Sequence, residues 1–449
     1  MRDSWLPFLT RTLPRYTSYP TAADFHDGVG NADREQALHL VSLYEPLSLY
    51  IHVPFCAQLC WYCGCSMTVG NNAERVQRYV EALRAEIAHI GRELAGHGRV
   101  VTVHFGGGTP NFLAIAQLDS ILEAIEQHIG LTDGVSIAIE LDPRLADVAQ
   151  ARALAALGVT RVSLGVQDTD ATVQRQINRI QPLNHIARVT GALRTAGIAD
   201  IGFDLIYGLP EQTLGTVSRT VENVIALDPD RLAVFGYAHV PHMRPHQRMI
   251  DTAKLADGGM RLALAEQMSD LLLGAGYIEI GFDHFARPQS RIAVAAQKGK
   301  LNRNFQGFTE DPASSLIGIG ASAISQFEDA YTQNEKHIGR YREGVLTRGA
   351  SVSRGVLLSR EDRLRRSIIH DLLCRFSCDI SARCEEYGVP IDRLARSFAA
   401  LAPLFDAEII QDRSRHVAIR PEARKLSRLV AHAFDARSTT GVGQFSAAV

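Results

Sequence analysis

The stretch SLYIHVPFCAQLCWYCGC (residues 48–65) runs from a β-rich segment straight into four of the chain's seven cysteines. SLYIHVPF (48–55) is rich in β-branched and aromatic residues and carries a proline breaker near its end, as expected for a strand. The thiols follow with the spacing C-x3-C-x2-C-x-C. Residues so close in sequence rarely reach disulfide geometry with one another. The N-terminal MRDSWLPFLTRTLPRYTSYP holds no apolar core of the kind an export signal needs. Clustered thiols without such a signal point to a reducing cytoplasm and to a metal or cluster.

Five more strand candidates follow: VVTVHFGG (100–107), VSIAIELD (135–142), RVSLGVQ (161–167), IGFDLIYGLP (201–210) and RLAVFGYAHV (231–240). Helical periods lie between them. In NNAERVQRYVEALRAEIAHIGREL, the residues Val76, Val80, Leu83, Ile87, Ile90 and Leu94 recur every three or four positions, and Leu118, Ile121, Leu122 and Ile125 do so in the next segment. Such alternation predicts an α/β fold with a parallel sheet and crossover helices, closed or open as a barrel of six units. Ligands bind such folds beyond the carboxyl ends of the strands. The unusual residues fall there: the cysteine loop after the first strand, GGGTP after the second, Glu140 closing the third and Gln167 the fourth. Asp204 lies within the fifth, and Tyr237, Ala238 and His239 end the sixth.

The chain's 449 residues, with 47 basic against 49 acidic side chains, give room for two or three domains and no basic excess. Neither a nucleic acid nor a membrane surface is expected as partner, and no apolar run is long enough to span a bilayer. From about residue 345 the texture changes to helices, EDRLRRSIIHDLLCRF and IDRLARSFAALAPLF, with AEIIQ and HVAIR as a small hairpin and a last helix. The expected organisation is an N-terminal arm (1–45), a β/α catalytic domain with an extension (46–345) and a C-terminal, mainly helical, winged-helix-like domain (346–449). That last domain is expected to serve as structure or lid, since fold alone does not make it a DNA reader.

Three readings fit the four thiols. Structural zinc needs four ligands but usually takes them from two knuckles well apart in sequence. A ferredoxin cluster needs four thiolates, typically spaced C-x2-C-x2-C with a distant fourth. The third is a cluster held by three cysteines, with one iron open to another ligand.

C-x3-C-x2-C directly after the first strand of a β/α chain resembles the radical S-adenosylmethionine (SAM) enzymes, and GGGTP (106–110) after the second strand strengthens the likeness. Glycines there let backbone approach a ligand closely. The resemblance implies a partial (β/α)6 barrel and a [4Fe-4S] cluster on Cys56, Cys60 and Cys63, whose open iron chelates SAM. The full YIHVPFCAQLCWYCGC, PRYTSYPTA (14–22), VHFGGGTPNFL, ELDPR (140–144), SLGVQD, QRQINRIQP, GFDLIYGLPEQT, GYAHVPH, GFDHFARP (281–288), NRNFQGFT (302–309), GIGASAIS (318–325) and a terminal QFS are similar to the family of oxygen-independent coproporphyrinogen III oxidases. These motifs keep their order over nearly the whole chain.

Two SAM molecules are implied by that resemblance. The first would meet Tyr50, Gly107, Glu140 and Ile324; the second would meet Tyr62, Gly108, Thr109, Gln167, Arg179, Asp204 and Ala238. Residue chemistry agrees, since carboxylates and Gln hold hydroxyl or amino groups and Arg forks onto a carboxylate. Tyr50 and Cys65 are expected in catalysis, Cys65 belonging to the signature without being a cluster ligand; the bland reading of Cys65 is a small buried residue. The implied reaction is anaerobic oxidative decarboxylation of two propionates of coproporphyrinogen III to vinyl groups, giving protoporphyrinogen IX in haem biosynthesis. Its partners would be that tetrapyrrole and a flavodoxin- or ferredoxin-like electron donor, with the chain a monomer. Four substrate carboxylates call for arginines, for which Arg15, Arg287 and Arg303 stand inside motifs; their bland reading is surface ion pairs. A haem-binding chaperone and a haem-degrading radical SAM methyltransferase of the same superfamily are the alternatives.

Cys374 and Cys378, four apart on a predicted helix, and Cys384 read as core filling, with a second cluster as the alternative. The histidines His52, His104, His239, His242 and His284 lack the i, i+4 pairing of a helical metal site. His242 stands where relatives are expected to carry a bulky apolar residue.

Overall fold

The computed structural model describes residues 3–9, 11–70, 72–413 and 415–437; the QFS motif at 444–446 lies outside them. Six parallel strands stand side by side in chain order: β1 (Pro46–Val53), β2 (Arg99–Gly107), β3 (Leu131–Leu141), β4 (Val159–Gln167), β5 (Asp200–Tyr207) and β6 (Arg231–Gly236). Every one of the six expected strands is present, within a few residues of its expected bounds.

Alternation along each strand sorts the side chains to two faces. Leu49 and Ile51 of β1, Val103 and Phe105 of β2, Ile139 of β3, Leu164 of β4 and Phe203 of β5 join one apolar core with the crossover helices. The residues between them, Tyr50, His52, His104, Glu140, Ser163 and Asp204, occupy the concave face and contact one another. The helix after β1, α1 (Ala73–Leu94), shows why its segment folds as it does. Asn72 caps it by accepting from the Arg75 N–H at 2.9 Å, which stabilises the first turn by about 1 kcal/mol. Its stripe Val76, Val80, Leu83, Ile87 and Ile90 is no more than 5% exposed, each fully buried side chain contributing about 1.5–3 kcal/mol. Ala95 ends it in a left-handed conformation (φ 50°).

The sheet continues past the six strands on both edges. β1 also pairs in parallel with β9 (Ser315–Ile319), which leads to the antiparallel β10 (Ile324–Gln326), β11 (Ala330–Asn334) and β12 (Val352–Leu357). β6 pairs antiparallel with β7 (His284–Ala286). β1 and β6 do not pair with each other, so the barrel is partial. These added strands are three to six residues long, too short for a period to register in sequence. Between β7 and β9 lies a small ladder of β8 (Asn302–Asn304) with Gly307–Thr309.

The C-terminal region packs α2 (Arg360–Cys374), α3 (Ile380–Tyr387), α4 (Ala395–Asp406) and α5 (Ser427–His432) around a three-stranded antiparallel sheet. Its hairpin strands are Ile410–Arg413 and His416–Ile419, with Ser377–Asp379 as the third. Cys374 is the last residue of α2 while Cys378 is in that third strand, so the two do not share a helix as expected. The chain turns at Arg375-Phe376, and Phe376 has a positive φ of 59°.

The N-terminal arm does not stand alone. Trp5, Phe8, Leu13, Tyr16 and Tyr19 join Leu364, Ile368, Leu372 and Phe434 in one apolar cluster. Trp5 Nε1 donates to the Ala407 carbonyl at 2.9 Å, and Tyr16 Oη donates to Asp435 at 2.9 Å. No helix among the described residues is long and apolar enough to cross a membrane.

Candidate active site

At the carboxyl ends of β1–β6 an open cavity of about 460 Å³ is lined by the cysteine loop, the glycine turn and the strand-end polar residues. Cys56 and Cys60 are buried, Cys63 is half-buried and Cys65 is exposed. Thr109 Oγ1 donates to Cys56 Sγ at 3.2 Å; Arg144 and Arg179 each reach Cys60 Sγ at 3.5 Å. The loop has no regular secondary structure of its own after Cys56, so its backbone is held by neighbours. Asn178 Nδ2 donates to the Leu59 carbonyl at 2.8 Å, Gln247 Nε2 to the Tyr62 carbonyl at 2.9 Å and Arg244 Nε to the Gly64 carbonyl at 2.9 Å. His246 Nε2 lies 2.7 Å from the Cys63 carbonyl oxygen.

The glycine turn is required by crowding. Gly107 has φ 118°, and a Cβ there would come within 2.6 Å of the His52 ring. A Cβ at Gly106 would meet Glu140 Oε1 at 2.7 Å and the Tyr50 ring at 2.9 Å. The Gly107 N–H donates to Glu140 at 3.2 Å, and His104 Nε2 lies 3.1 Å from the other oxygen. Burial opposes ionisation of Glu140, but His104 and the Gly107 N–H together hold its carboxyl below the ordinary value.

Asp204 behaves the other way. Burial, with the Glu140 charge nearby, pushes its carboxyl up to about 6, despite a hydrogen bond from Ser163 Oγ at 3.1 Å. Two carboxyls shifted in opposite directions thus share the concave face. Cys63 is pulled down to about 6 by hydrogen bonding from Cys65, with His246 and Arg244 adding to the effect, while burial pushes Cys56 up to about 12.

Arg179 is anchored on the Gly165 carbonyl at 2.7 Å and faces Asp142 at 3.4 Å. Asp142 also pairs with Arg144 at 2.6 Å. Gln167 takes a positive φ of 65°, and its amide crowds Gly165 beside Arg179. Asp142, Arg144, Asn178, Arg244, His246 and Gln247 are the site residues that sequence reasoning missed. Asp142 and Arg144 were visible within ELDPR, whereas Gln247 and His246 carried no periodic or spacing signal.

The cavity brings together Cys56, Cys60, Tyr62, Cys63, Cys65, Gly107, Gly108, Thr109, Glu140, Gln167, Arg179, Asp204, Ala238 and Arg15. Tyr50 lies at its side, its ring stacked on His104 with centroids 5.9 Å apart. Ile324, on β10, sits two strands over from Tyr50, against Gly318 of the intervening β9, off the cavity lining. Arg15 donates to the Gly236 carbonyl at 2.7 Å. Arg287 is elsewhere: it pairs with Asp228 and lies 4.2 Å over the Tyr277 ring, at the amino end of β6. As a substrate arginine it is displaced by the length of a strand. Arg303 donates from Nε to the Tyr16 carbonyl at 3.3 Å and from Nη2 to the Arg15 carbonyl at 3.2 Å, which makes it a support of the arm. His242 is exposed.

No three His, Cys, Asp or Glu side chains among the described residues converge tightly enough to chelate a single ion. A four-iron cube asks for something different, separate thiolates at separate corners. Three sulfurs spread along one loop at the rim of a 460 Å³ cavity suit that donor pattern. Arginines beside Cys60 would offset the thiolate charge.

Residues 50–224 match the model of the Radical SAM superfamily. The oxygen-independent coproporphyrinogen III oxidase of Bradyrhizobium diazoefficiens is 41% identical over 437 residues, 97% of each chain. The enzyme of that name from Escherichia coli K12 is 38% identical, covering 96% of this chain and 95% of its own. The solved structure of the Escherichia coli coproporphyrinogen III oxidase, described as a radical SAM enzyme, superposes with a TM-score of 0.91 at 36% identity. It covers 95% of this chain and 100% of its own.

Proposed function

The chain belongs to the oxygen-independent coproporphyrinogen III oxidases, a family of radical SAM enzymes, and from that premise we propose how its own residues carry the reaction. The activity is oxidative decarboxylation of two propionate side chains of coproporphyrinogen III to vinyl groups, giving protoporphyrinogen IX in haem biosynthesis without molecular oxygen. The family brings an iron–sulfur cluster and SAM. When bound, they supply a 5′-deoxyadenosyl radical that takes a hydrogen atom from a propionate β-carbon.

In this reading Cys56, Cys60 and Cys63 are the cluster's thiolates, and Cys65, next to Cys63 and exposed to the cavity, stands towards the substrate. Asn178, Arg244, His246 and Gln247 hold the cysteine loop in one geometry, so that little reorganisation accompanies electron transfer. Arg179, fixed on the Gly165 carbonyl, faces a carboxylate, and Gln167 beside it serves hydroxyl or amide recognition. Gly107 and Gly108 allow close backbone approach. Glu140, kept ionised by His104, receives an ammonium or ribose hydroxyls, with Tyr50 behind it. Asp204, pushed up to about 6, is still mainly a carboxylate at neutral pH and accepts hydrogen bonds from hydroxyl or ammonium groups. Tyr62, Thr109, Ala238 and Ile324 complete two SAM positions. A monomer in the cytoplasm, reduced by a flavodoxin- or ferredoxin-like protein, fits this reading.

The observation that carries the proposal is that the three thiols, the glycine turn, Glu140, Gln167, Arg179 and Asp204 line one cavity at one end of the strands. The test is anaerobic. Reconstituted protein with SAM, reductant and coproporphyrinogen III should yield a product lighter by two CO2 and four hydrogens, together with 5′-deoxyadenosine. SAM cleavage without decarboxylation would move the substrate to another tetrapyrrole, haem first. No SAM cleavage by an iron-loaded protein would overturn the residue assignments.

A further inference from the structure

Cys60 is buried, yet two hydrogen-bond steps tie it to the protein surface. Arg144 Nη2 lies 3.5 Å from Cys60 Sγ, and Arg144 Nη1 donates to Gln58 Oε1 at 3.1 Å. Gln58 is exposed. Its Nε2 donates to Asn178 Oδ1 at 3.2 Å, and Asn178 Nδ2 donates to the Leu59 carbonyl at 2.8 Å. The cysteine loop, the turn after β3 and the segment around Asn178 therefore meet at one rim of the cavity. His185 Nε2, 2.7 Å from the Pro143 carbonyl oxygen, brings in the start of the helix Leu183–Thr195. This rim stands three strands from Gly236 at the end of β6, where Arg15 and the arm reach the cavity.

The chain carries a net charge of -2, but residues 171–199 hold no Asp or Glu beside Arg175, Arg179, Arg188 and Arg194. Arg175, one turn before Asn178, and Arg188, whose Nη2 lies 2.7 Å from His185 Nδ1, are both exposed. Neither has a carboxylate at ion-pair distance among the described residues. Ile180 is 63% exposed, although Arg179 and Gln181 on either side of it are buried. The acids of this region are committed elsewhere. Asp142 pairs with Arg144 and Arg179, Asp147 caps a helix by accepting from the Gln150 N–H at 2.8 Å, and Asp170 caps another and meets Arg219 at 3.5 Å. An exposed apolar side chain with free guanidinium groups around it suits a protein interface, and the sign of the charge selects an acidic partner.

An electron must reach the cluster from outside while SAM and substrate fill the cavity, so its entry has to lie at a rim that they leave open. We propose that the surface of Gln58, Asn178, Arg175, Ile180 and Arg188 docks an acidic one-electron carrier protein, whose electron enters across the Gln58–Arg144–Cys60 contact. The inference rests on the cluster assigned above to Cys56, Cys60 and Cys63. The carrier loses one electron and the cluster gains it; no bond or proton is exchanged. The small size of the patch agrees with redox encounters, which stay below about 1,200 Å² of buried surface. Carrier and tetrapyrrole then use different sides of the site, so one need not leave before the other binds.

The test uses full-length, iron-loaded protein without oxygen and a flavodoxin, an acidic flavin protein, as probe. Binding of oxidised flavodoxin, read from its flavin fluorescence, needs no turnover. Arg175→Glu combined with Arg188→Glu should raise its Kd about tenfold at low salt, and high salt should shrink the difference. Cluster reduction by reduced flavodoxin, followed by visible absorbance, should slow alike. SAM cleavage driven by dithionite, a small reductant that needs no docking surface, should stay at the wild-type level. Arg175→Gln with Arg188→Gln should give a smaller rise in Kd. Arg340→Glu, an exposed position on the helix Ile338–Arg348, should give none. An unchanged Kd in the doubly reversed variant, or an equal rise in Arg340→Glu, overturns the docking surface. So does an equal loss of dithionite-driven cleavage in both the Glu and the Gln pairs, which would give these arginines a structural role. Wild-type protein that cleaves no SAM with dithionite would sink the cluster reading instead, and Kd alone would then judge the surface.

Discussion

Two groups of cysteines in one chain sit in different surroundings. Cys56–Cys65 sit on an irregular loop at the rim of an open cavity, beside Arg144, Arg179, Arg244 and His246. Cys374, Cys378 and Cys384 are all buried in the C-terminal region, the last two within its apolar core. Burial pushes Cys378 and Cys384 upward, away from the thiolate form, as it does Cys56 at the start of the loop, whereas Cys63 is drawn down to about 6. The same side chain is thus a proposed cluster ligand in one place and packing in the other. What decides between them is the polarity of the surroundings and the presence of a cavity, not the number of cysteines.

The sharpest way to break this contrast is to exchange the thiols for hydroxyls. Cys60→Ser should abolish SAM cleavage and lower iron content, read by iron analysis and 5′-deoxyadenosine release. Retained activity would remove the loop from the site. A smaller effect is expected one step out from the thiols. Arg179→Gln keeps a donor but loses the fork onto Asp142, so kcat/KM for SAM should fall about 10²-fold. The iron content of that variant should remain, which separates anchoring of SAM from holding of the cluster.

Asp204 gives a pH-dependent test. Its carboxyl is pushed up to about 6 in the folded chain from an ordinary value of 3.8, so the folded state binds a proton more tightly than the unfolded one. The associated stability is fully present below pH 4, and is lost as pH rises through about 6. In ligand-free protein Asp204→Asn should therefore be more stable than wild type above pH 7, by at most about 3 kcal/mol. Urea midpoints compared at pH 5 and pH 8 check this, and equal midpoint differences at the two values would remove the ionisation argument.

The least effect belongs to the other cysteine group. Cys384→Ala should cost about 1 kcal/mol in stability and leave SAM cleavage and iron content as they are. A loss of iron there would dissolve the contrast between the two groups.

Much of the barrel was legible because its signals are local. A strand of eight or nine residues carries enough alternation to be recognised, and helix α1 carries both its cap and its stripe within one segment. The short added strands β7 and β10 have three residues each and offer no period. Arg287 and Arg303 looked alike in sequence, each inside a motif. Arg287 ended at the amino side of β6 on Asp228, and Arg303 ended under the arm. Cys374 and Cys378 kept their spacing but not their helix, because the turn at Phe376 intervenes.

By itself the sequence determined the thiol spacing, the glycine turn, the parallel β/α order and, through them, the chemistry of the strand ends. These are properties of residues near one another along the chain. Tertiary structure alone decided that the arm joins the C-terminal core, that Gln247 and His246 hold the cysteine loop, and that Gln58, Arg144 and Asn178 meet at one rim. Those contacts join segments tens to hundreds of residues apart, and no local period or spacing encodes which side chains a fold will bring face to face.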